Sequence, residues 1–177
     1  MVVLALALIV LAVRVTLTET TAEILKLWRT GAPPVLSMKK EHRHHLFLSH
    51  VWSTGQDQVA VIKRQLLRMV HGLRVFLDVD DLEDIGALEK YIDESMVVLI
   101  FLSRGYFQSR NCLREVRAAM ERNKPLILVL ETDEAKGGFA LLEEARGECP
   151  DELHDYVFGP RQEKQRTFIN WHRITVF

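Results

Sequence analysis

Residues 96–102 read MVVLIFL, seven apolar side chains in a row with no polar residue between them. Successive side chains of a strand point to opposite faces of the sheet, so a strand with this composition must be covered on both faces. Residues 125–130 (PLILVL) have the same character, and shorter apolar runs occupy residues 46–49 and 73–77. Such runs are typical of a parallel sheet that lies between two layers of helices.

Segments with helical periodicity separate these apolar runs. Residues 56–70 place Val59, Ile62 and Leu66 on one face of a predicted helix. Two further helices are predicted, a short one around residues 88–95 and one over residues 112–122, while residues 139–158 indicate irregular helix and loop. Residues 174–177 are expected to start a fifth strand. The alternation predicts an α/β fold with a parallel sheet.

Composition excludes several function classes. The 177 residues carry 23 Lys and Arg against 24 Asp and Glu, a formal net charge of −1. Proteins that bind nucleic acid by neutralising phosphates normally have a basic excess, so we expect no nucleic-acid partner. The two cysteines, Cys112 and Cys149, are too few for a disulfide framework or a four-thiolate zinc site, and we expect no metal and no resident cofactor.

The N-terminal part of the chain differs from the rest. Residues 1–13 are all apolar, and Arg14 ends the run. As a helix they would reach about 20 Å, short of the roughly 30 Å hydrocarbon core of a membrane, and residues 15–17 extend this only to a marginal span. Three interpretations stay open: part of a transmembrane helix, a signal or anchor segment, or a helix packed on the domain.

The sequence therefore predicts three regions. Residues 1–17 are a candidate membrane anchor, residues 18–43 are a linker, and residues 44–177 form the main domain. Within the linker, Thr20 and Glu23 have the spacing of a capping box, and the apolar residues at 24, 25 and 28 predict one short helix.

Several familiar site motifs do not occur in the sequence. It contains neither G-x-G-x-x-G nor the phosphate-binding G-x-x-x-x-G-K-[ST], and it has no G-x-S-x-G. A phospho-receiver domain shares the alternating layout, but it needs acidic residues after the first and third strands. Ser49-His50 and Ser103-Arg104 occupy those places. These comparisons exclude a dinucleotide fold, a phosphate-binding loop, an α/β-hydrolase and a receiver.

Ligand sites of open α/β sheets lie beyond the carboxyl ends of the strands. Four histidines, at 42, 44, 45 and 50, surround the first strand; we interpret them as a solvated lead-in, with a weak metal site as the alternative. The acidic loop 78–84 follows the second strand. Cys112 lies in the first turn of a predicted helix, where a buried structural role is favoured over a reactive thiol.

Glu115 lies one turn into the same helix, and we expect it to face an open cleft at the strand ends. An acid near a helix N-terminus gains about 0.3–1 kcal/mol from the helix dipole, which is a sufficient structural reason for its presence. Position alone therefore does not assign it a function, and its replacement is expected to cost about 1 kcal/mol or less.

The sequence also resembles a known family. The segments FLSH (47–50), VFLDVDDLEDIG (75–86), IDES (92–95), VVLIFLSRGYFQSRNCLREV (97–116) and PLILVL (125–130) are similar in order and spacing to the TIR (Toll/interleukin-1 receptor/resistance) domain, over about residues 44–177. The most specific match is the pattern S-x-x-Y-x-x-S-x-x-C-L-x-E, which begins at Ser103 and ends at Glu115.

The resemblance implies a flavodoxin-like parallel sheet of five strands in the order 2-1-3-4-5, flanked by helices, with the family's last helix missing from this sequence. It implies a cytoplasmic signalling or innate-defence protein, with a membrane anchor if residues 1–17 form one. Its partners would be other TIR domains or further copies of this chain, and the loop that includes Asp78 and Gly86 would serve assembly.

Some TIR domains also cleave NAD⁺ at the nicotinamide–ribose bond. The glutamate of those enzymes matches Glu115, which the resemblance therefore assigns as the catalytic carboxylate if this domain is an enzyme. Such a carboxylate can stabilise an oxocarbenium-like transition state without a metal. The residues expected around the substrate are Ser49, His50, Val51 and Trp52 as a wall, Asp78 and Gly86 in the lid, and Ser103 and Cys112 in the floor.

Two positions separate a catalytic TIR domain from a purely structural interaction module. Many family enzymes carry a basic residue at the position of Val51 and an aromatic residue at the position of Asn111. These two substitutions favour a non-catalytic module, whereas the retained Glu115 favours catalysis. Trp52, one residue further along, offers a stacking face in place of the missing aromatic residue.

Overall fold

The computed structural model describes residues 24–27, 29–77 and 88–159, and the backbone of residues 166–170. Five strands form one sheet: β1 (His44–His50), β2 (Val75–Leu77), β3 (Ser95–Leu102), β4 (Leu126–Leu130) and β5 (Arg166–Asn170). All neighbouring strands are parallel and their order is β2-β1-β3-β4-β5. The predicted flavodoxin-like sheet of five strands, in the order 2-1-3-4-5, is therefore confirmed.

Helices connect the strands. The α-helices are α1 (Trp52–Met69), α2 (Leu88–Asp93), α3 (Arg110–Glu121), α4 (Leu142–Glu148) and α5 (Asp151–Val157). Short 3₁₀ turns cover Tyr106–Gln108 and Glu134–Lys136. Ser109 caps α3, because its hydroxyl accepts a hydrogen bond from the backbone N–H of Cys112 at 3.4 Å. The irregular stretch expected over residues 139–158 consists mainly of the two short helices α4 and α5.

The two faces of the sheet carry separate apolar cores. Leu46 and Leu48 pack with Val59 and Ile62 of α1 on one face. Phe47, between them in sequence, packs on the other face with residues of α2, α3, α4 and α5. Adjacent strand residues point to opposite faces, so a run of apolar residues supplies both cores at once. The expectation from the unbroken run at residues 96–102 is thus met.

Three expectations about elements were wrong in detail. Helix α1 begins at Trp52, four residues before the expected start, since the polar residues of its first turn obscure the periodic pattern. The fifth strand is Arg166–Asn170, and the expected residues 174–177 lie outside the described chain. The sequence does not predict this strand, because Arg166 and Asn170 bracket its β-branched and aromatic residues and leave no long apolar run.

The third difference concerns the predicted linker helix, whose residues 20–23 and 28 lie outside the described residues. Residues 24–27 have no regular secondary structure. The backbone N–H of Leu25 donates to the carbonyl of Met69 at the end of α1, and that of Leu27 donates to the carbonyl of Ala32, both at 2.8 Å. These partners lie outside a helical register, so residues 24–27 are not helical. The chain turns near Gly31, where φ is +66°.

The candidate membrane anchor at residues 1–17 lies outside the described residues. So do residues 78–87, which include the acidic loop 78–84. Within the ranges 24–27, 29–77 and 88–159, no helix combines the length and apolar character that a membrane span requires.

Candidate functional site

Buried polar residues lie at the carboxyl ends of the three central strands. Ser49 and His50 end β1, Ser103 follows β3, and Glu131 follows β4. Each of them is at most 3% exposed, as is Glu115 on α3. Burying polar groups costs free energy unless they are hydrogen-bonded, and this edge of a parallel sheet is where ligand sites form.

The first group of these residues lies on the face of the sheet that α3 covers. The Ser49 hydroxyl donates a hydrogen bond to Oε2 of Glu115. Its oxygen also lies 2.5 Å from the Tyr106 hydroxyl oxygen. Ser49 has only one hydroxyl proton, and it is donated to Glu115. Tyr106 is therefore the donor of the second bond. We call Tyr106, Ser49 and Glu115 the Glu115 cluster.

The protonation of Tyr106 agrees with this direction. Burial raises the pKa of the Tyr106 phenol well above its usual 10, and the nearby Cys112 and Glu115 raise it further. The phenol thus keeps its proton at physiological pH and remains a hydrogen-bond donor. Two hydrogen bonds in series, from Tyr106 to Ser49 and from Ser49 to Glu115, strengthen one another in a buried site.

The burial of Glu115 corrects the expectation of an open cleft. Its side chain is 3% exposed and joins α3 to the end of β1 through Ser49. Glu115 lies on the predicted helix but in its second turn, because α3 begins at Arg110. Periodicity also does not reveal what covers a side chain. Cys112, on the same helix, is buried as expected, and its thiol donates to the backbone carbonyl of His50 at 3.2 Å.

A second polar group lies on the opposite face of the sheet, beside α1. His50 points there, since its Cβ lies 3.3 Å from the position that a Cβ on Gly55 of α1 would occupy. Ser49 and His50 therefore belong to different groups despite being adjacent, as the alternation of strand side chains requires. The Thr54 hydroxyl lies 2.8 Å from that of Ser103 and donates to the carbonyl of Arg104 at 3.1 Å.

Beside this second group, a groove of about 720 Å³ separates α1 from the 3₁₀ turn Glu134–Lys136. We call it the α1 groove; its lining residues include Trp52, Thr54, Asp57, Gln58, Val61 and Lys136. Trp52, predicted to share a wall with Ser49, lines this groove and is 54% exposed. Glu115 is not among the groove's lining residues, so the predicted wall is divided between two sites.

The remaining predicted site residues take other positions. Val51 precedes α1 and packs against the apolar core that lies between the sheet and α3. Ser103 is buried and bonds Thr54 rather than the Glu115 cluster. Asp78 and Gly86 lie outside the described residues.

Three buried or partly buried residues of these two groups, Tyr106, Thr54 and Glu131, are not among the site residues predicted from the sequence. Tyr106 belongs to the motif that carried the family resemblance, so its hydroxyl could have been assigned. Glu131 is the first residue after β4, the place where the strand-end rule looks for ligand groups. Its carboxylate accepts hydrogen bonds from the backbone N–H of Asp133 at 2.9 Å and from the Gln58 amide at 3.5 Å. Thr54 lies in the segment after β1 that the strand-end rule indicates, but nothing in its residue type distinguishes it from its neighbours.

Comparison with known proteins decides the family. A family model described as the TIR domain matches residues 46–151, which contain both polar groups and the whole of the α1 groove. The chain belongs to the TIR domain family. It is therefore a TIR-type signalling module, and the resemblance inferred from its motifs is confirmed.

Solved structures of TIR proteins are also similar to this chain. The TIR domain of the Toll-related receptor TRR-2 from Hydra magnipapillata is 12% identical with a TM-score of 0.49, over 74% of this chain and 86% of that one. A TIR-STING receptor from C. gigas, solved in complex with 2′,3′-cGAMP, is 16% identical with a TM-score of 0.51, over 77% of this chain and 38% of that one. This TIR chain thus spans less than half of the second protein. No curated protein matches it significantly.

Proposed function

We propose that this TIR domain cleaves NAD⁺ at the nicotinamide–ribose bond and that Glu115 is the catalytic carboxylate. The observation that supports this best is the Glu115 cluster, in which a carboxylate is buried at the sheet edge where ligands bind and is held by Ser49. A buried ionisable group costs stability, and such groups are concentrated at functional sites.

In the proposed reaction the bond between the nicotinamide nitrogen and the ribose carbon breaks. The nitrogen keeps the electron pair, so nicotinamide leaves as a neutral molecule and the ribose carbon becomes oxocarbenium-like. Water then adds to that carbon and loses a proton, which gives ADP-ribose. Glu115 stabilises the positive charge on the ribose and accepts hydrogen bonds from its hydroxyls. Ser49 and Tyr106 hold the carboxylate in one orientation.

The second candidate is a non-catalytic interaction module. The same burial favours it, because a carboxylate that is 3% exposed and bonded to Ser49 already has a structural role in joining β1 to α3. In this case the TIR domain acts only by associating with other TIR domains, and residue 115 contributes to stability alone.

Release of nicotinamide from NAD⁺ separates the two candidates. We expect wild-type protein, concentrated enough to associate, to release nicotinamide and Glu115→Gln to be slower by at least about a hundredfold. Glu121→Gln is the matched control, since Glu121 lies on the same helix with its side chain 70% exposed. Equal rates for wild type and Glu115→Gln, or no release by wild type, would reject catalysis.

We infer further that the domain works in the cytoplasm and associates with other copies of itself or other TIR domains. Residues 78–84 carry five carboxylates in seven positions. Three basic residues of α1, Lys63, Arg64 and Arg68, offer the opposite charge. A head-to-tail contact between these two regions would build open assemblies. Self-association should then weaken as salt rises from low to physiological concentration. Association that is unchanged or stronger in salt would contradict this pairing.

A further inference from the structure

The α1 groove lies on the side of the sheet away from the Glu115 cluster and has no part in the proposed cleavage. Its volume of about 720 Å³ falls within the range of small-molecule sites. One wall is the first half of α1, and the other is the turn after β4. Thr54, Asp57, Gln58 and Val61 recur at helical spacing, which sets them along one side of α1.

One aromatic side chain, that of Trp52, lines this groove. Trp52 is the first residue of α1 and lines the groove while 54% of it is exposed. A Trp left this open presents a flat apolar surface to solvent, and planar rings such as nucleobases stack on such surfaces. Val61, 38% exposed, adds a second apolar contact on the same helix.

Charged and polar groups complete the lining. Lys136 belongs to the opposite wall, with its side chain 57% exposed and its ammonium 3.4 Å from the carboxylate of Asp133. Asp57 lies on the α1 wall, as do the amides of Gln56 and Gln58. Among the described residues, the lining thus combines one cation, one carboxylate, amides and an indole, which suits a ligand with a ring, hydroxyls and a small anionic group.

The walls are held in place before any ligand binds. Thr54 is bonded to Ser103 and to the Arg104 carbonyl. The backbone N–H of Arg104 donates to the Gly137 carbonyl at 2.8 Å, and its Nε donates to the Gly138 carbonyl at 2.8 Å. Gly137 itself packs directly on Thr54. A groove with fixed walls loses little conformational entropy on binding.

From this arrangement we propose that the α1 groove binds an adenine mononucleotide. The base stacks on Trp52, and a Gln amide, which offers a donor beside an acceptor, pairs with the edge of adenine. Asp57 accepts hydrogen bonds from the ribose hydroxyls. Lys136 binds the phosphate as a compact positive charge. The site depends on none of the residues of the Glu115 cluster.

Isothermal titration of the full chain with adenosine 5′-monophosphate tests this site. AMP lacks the nicotinamide–ribose bond, so its binding is read without turnover and separately from NAD⁺ cleavage. We expect saturable binding to wild type, with Trp52→Ala and Lys136→Ala each weakening it about tenfold or more. Adenosine should bind wild type more weakly than AMP but bind Lys136→Ala as well as it binds wild type, because only the phosphate contact is lost.

Two control variants should bind AMP as wild type does. Glu115→Gln changes the other site, and Leu141→Ala removes an exposed apolar side chain, 62% exposed, that does not line the groove. Absence of saturable AMP binding to wild type would overturn the proposal. So would unchanged affinity in Trp52→Ala, or loss of AMP binding in Glu115→Gln with retention in Trp52→Ala, which would place the nucleotide at the other site.

Discussion

The hydroxyl of Ser49 donates a hydrogen bond to the buried carboxylate of Glu115, and this bond ties the end of β1 to α3. In Ser49→Ala the carboxylate stays buried and loses that donor. We expect the free energy of unfolding to fall by about 1–3 kcal/mol, measured by urea denaturation.

A double-mutant cycle with Glu115→Gln tests whether the two residues are coupled. The pair Ser49→Ala and Glu115→Gln should cost less than the sum of the single changes, by about 0.5–3 kcal/mol, because each single change disturbs the same bond. Strict additivity would show that Ser49 and Glu115 contribute independently to stability. A cost well below 1 kcal/mol for Ser49→Ala would contradict the buried bond.

Tyr106→Phe removes the hydroxyl that donates to Ser49 and keeps the buried ring. We expect a loss of about 0.5–1.5 kcal/mol in unfolding free energy, the usual value for one hydrogen bond. Tyr91→Phe is the control, since the Tyr91 ring stacks on Phe76 with centroids 4.4 Å apart and that contact survives. If both variants lose the same stability, the effect belongs to phenols in general and not to the bond with Ser49.

Gly137 is required where the turn after β4 meets α1. Its φ is +78°, and a Cβ there would lie 2.6 Å from Cγ2 of Thr54. Gly137→Ala should therefore lower the unfolding free energy by about 1–3 kcal/mol, measured by chemical denaturation. It should also weaken AMP binding, since the α1 groove changes shape.

Two other glycines serve as controls that separate the cost of backbone strain from the cost of a steric clash with Thr54. Gly72→Ala meets open space at φ +78°, so it should show the cost of backbone strain alone. Gly147→Ala lies in α4 with nothing within 4 Å, so it should be neutral or stabilising by up to about 1 kcal/mol. A Gly137→Ala cost no larger than that of Gly72→Ala would show that Thr54 moves aside freely.

Stability should fall on mild acidification because of His45. The backbone N–H of Arg74 donates to Nδ1 of His45 at 3.0 Å, which requires that nitrogen to be unprotonated. Burial, and then the Arg74 charge, lower the pKa of His45 below its ordinary 6.5. The unfolded chain therefore takes up its proton first as the pH falls.

The contribution of His45 is thus complete above pH 6.5 and is lost as the pH falls from 6.5 through the pKa of the folded state. Urea midpoints measured between pH 7.5 and 5.5 should decrease in wild type. His45→Asn, whose side-chain oxygen can accept from Arg74 but does not titrate, should flatten that decrease. The same slope in both proteins would show that other groups dominate.

The apolar segment 1–17 predicts membrane attachment. Its unbroken apolar run, residues 1–13, is followed by Arg14, Lys26, Arg29, Lys39 and Lys40, a basic flank of the kind found on the cytoplasmic side of membrane anchors. Full-length protein should sediment with membranes, and a variant that starts at Ser37 should remain in the supernatant. Full-length protein found wholly soluble and monomeric would contradict the anchor.

Much of the fold could be predicted because its strands are unusually apolar. The unbroken runs in β3 and β4 could only be strands covered on both faces, and the helical pattern between them fixed the alternation. Strand β5 gave no such signal, because its bracketing residues Arg166 and Asn170 are polar. The start of α1 could not be predicted, because the polar residues of its first turn obscure the periodic pattern and Val51 precedes it without a side-chain cap.

The site was predicted in part for a related reason. The motif located Glu115, and the strand-end rule located Ser49, His50 and Ser103. Period and spacing assign a residue to an element, yet they do not say which neighbours from distant segments cover it. The bond between Ser49 and Glu115 spans 66 positions, and the contact between Thr54 and Ser103 spans 49. Only the folded chain brings these residues together.

The order of strands in the sheet also has a consequence for synthesis on the ribosome. Strand β1 pairs with β2 over three residues and with β3 over six, so its main partner is made about fifty residues after it. From β3 onward, each new strand adds to the edge left by the one before. We therefore expect the nascent chain to remain dependent on chaperones until β3 has emerged. After that, β4 and β5 should add to the same edge of the sheet in the order in which they are made.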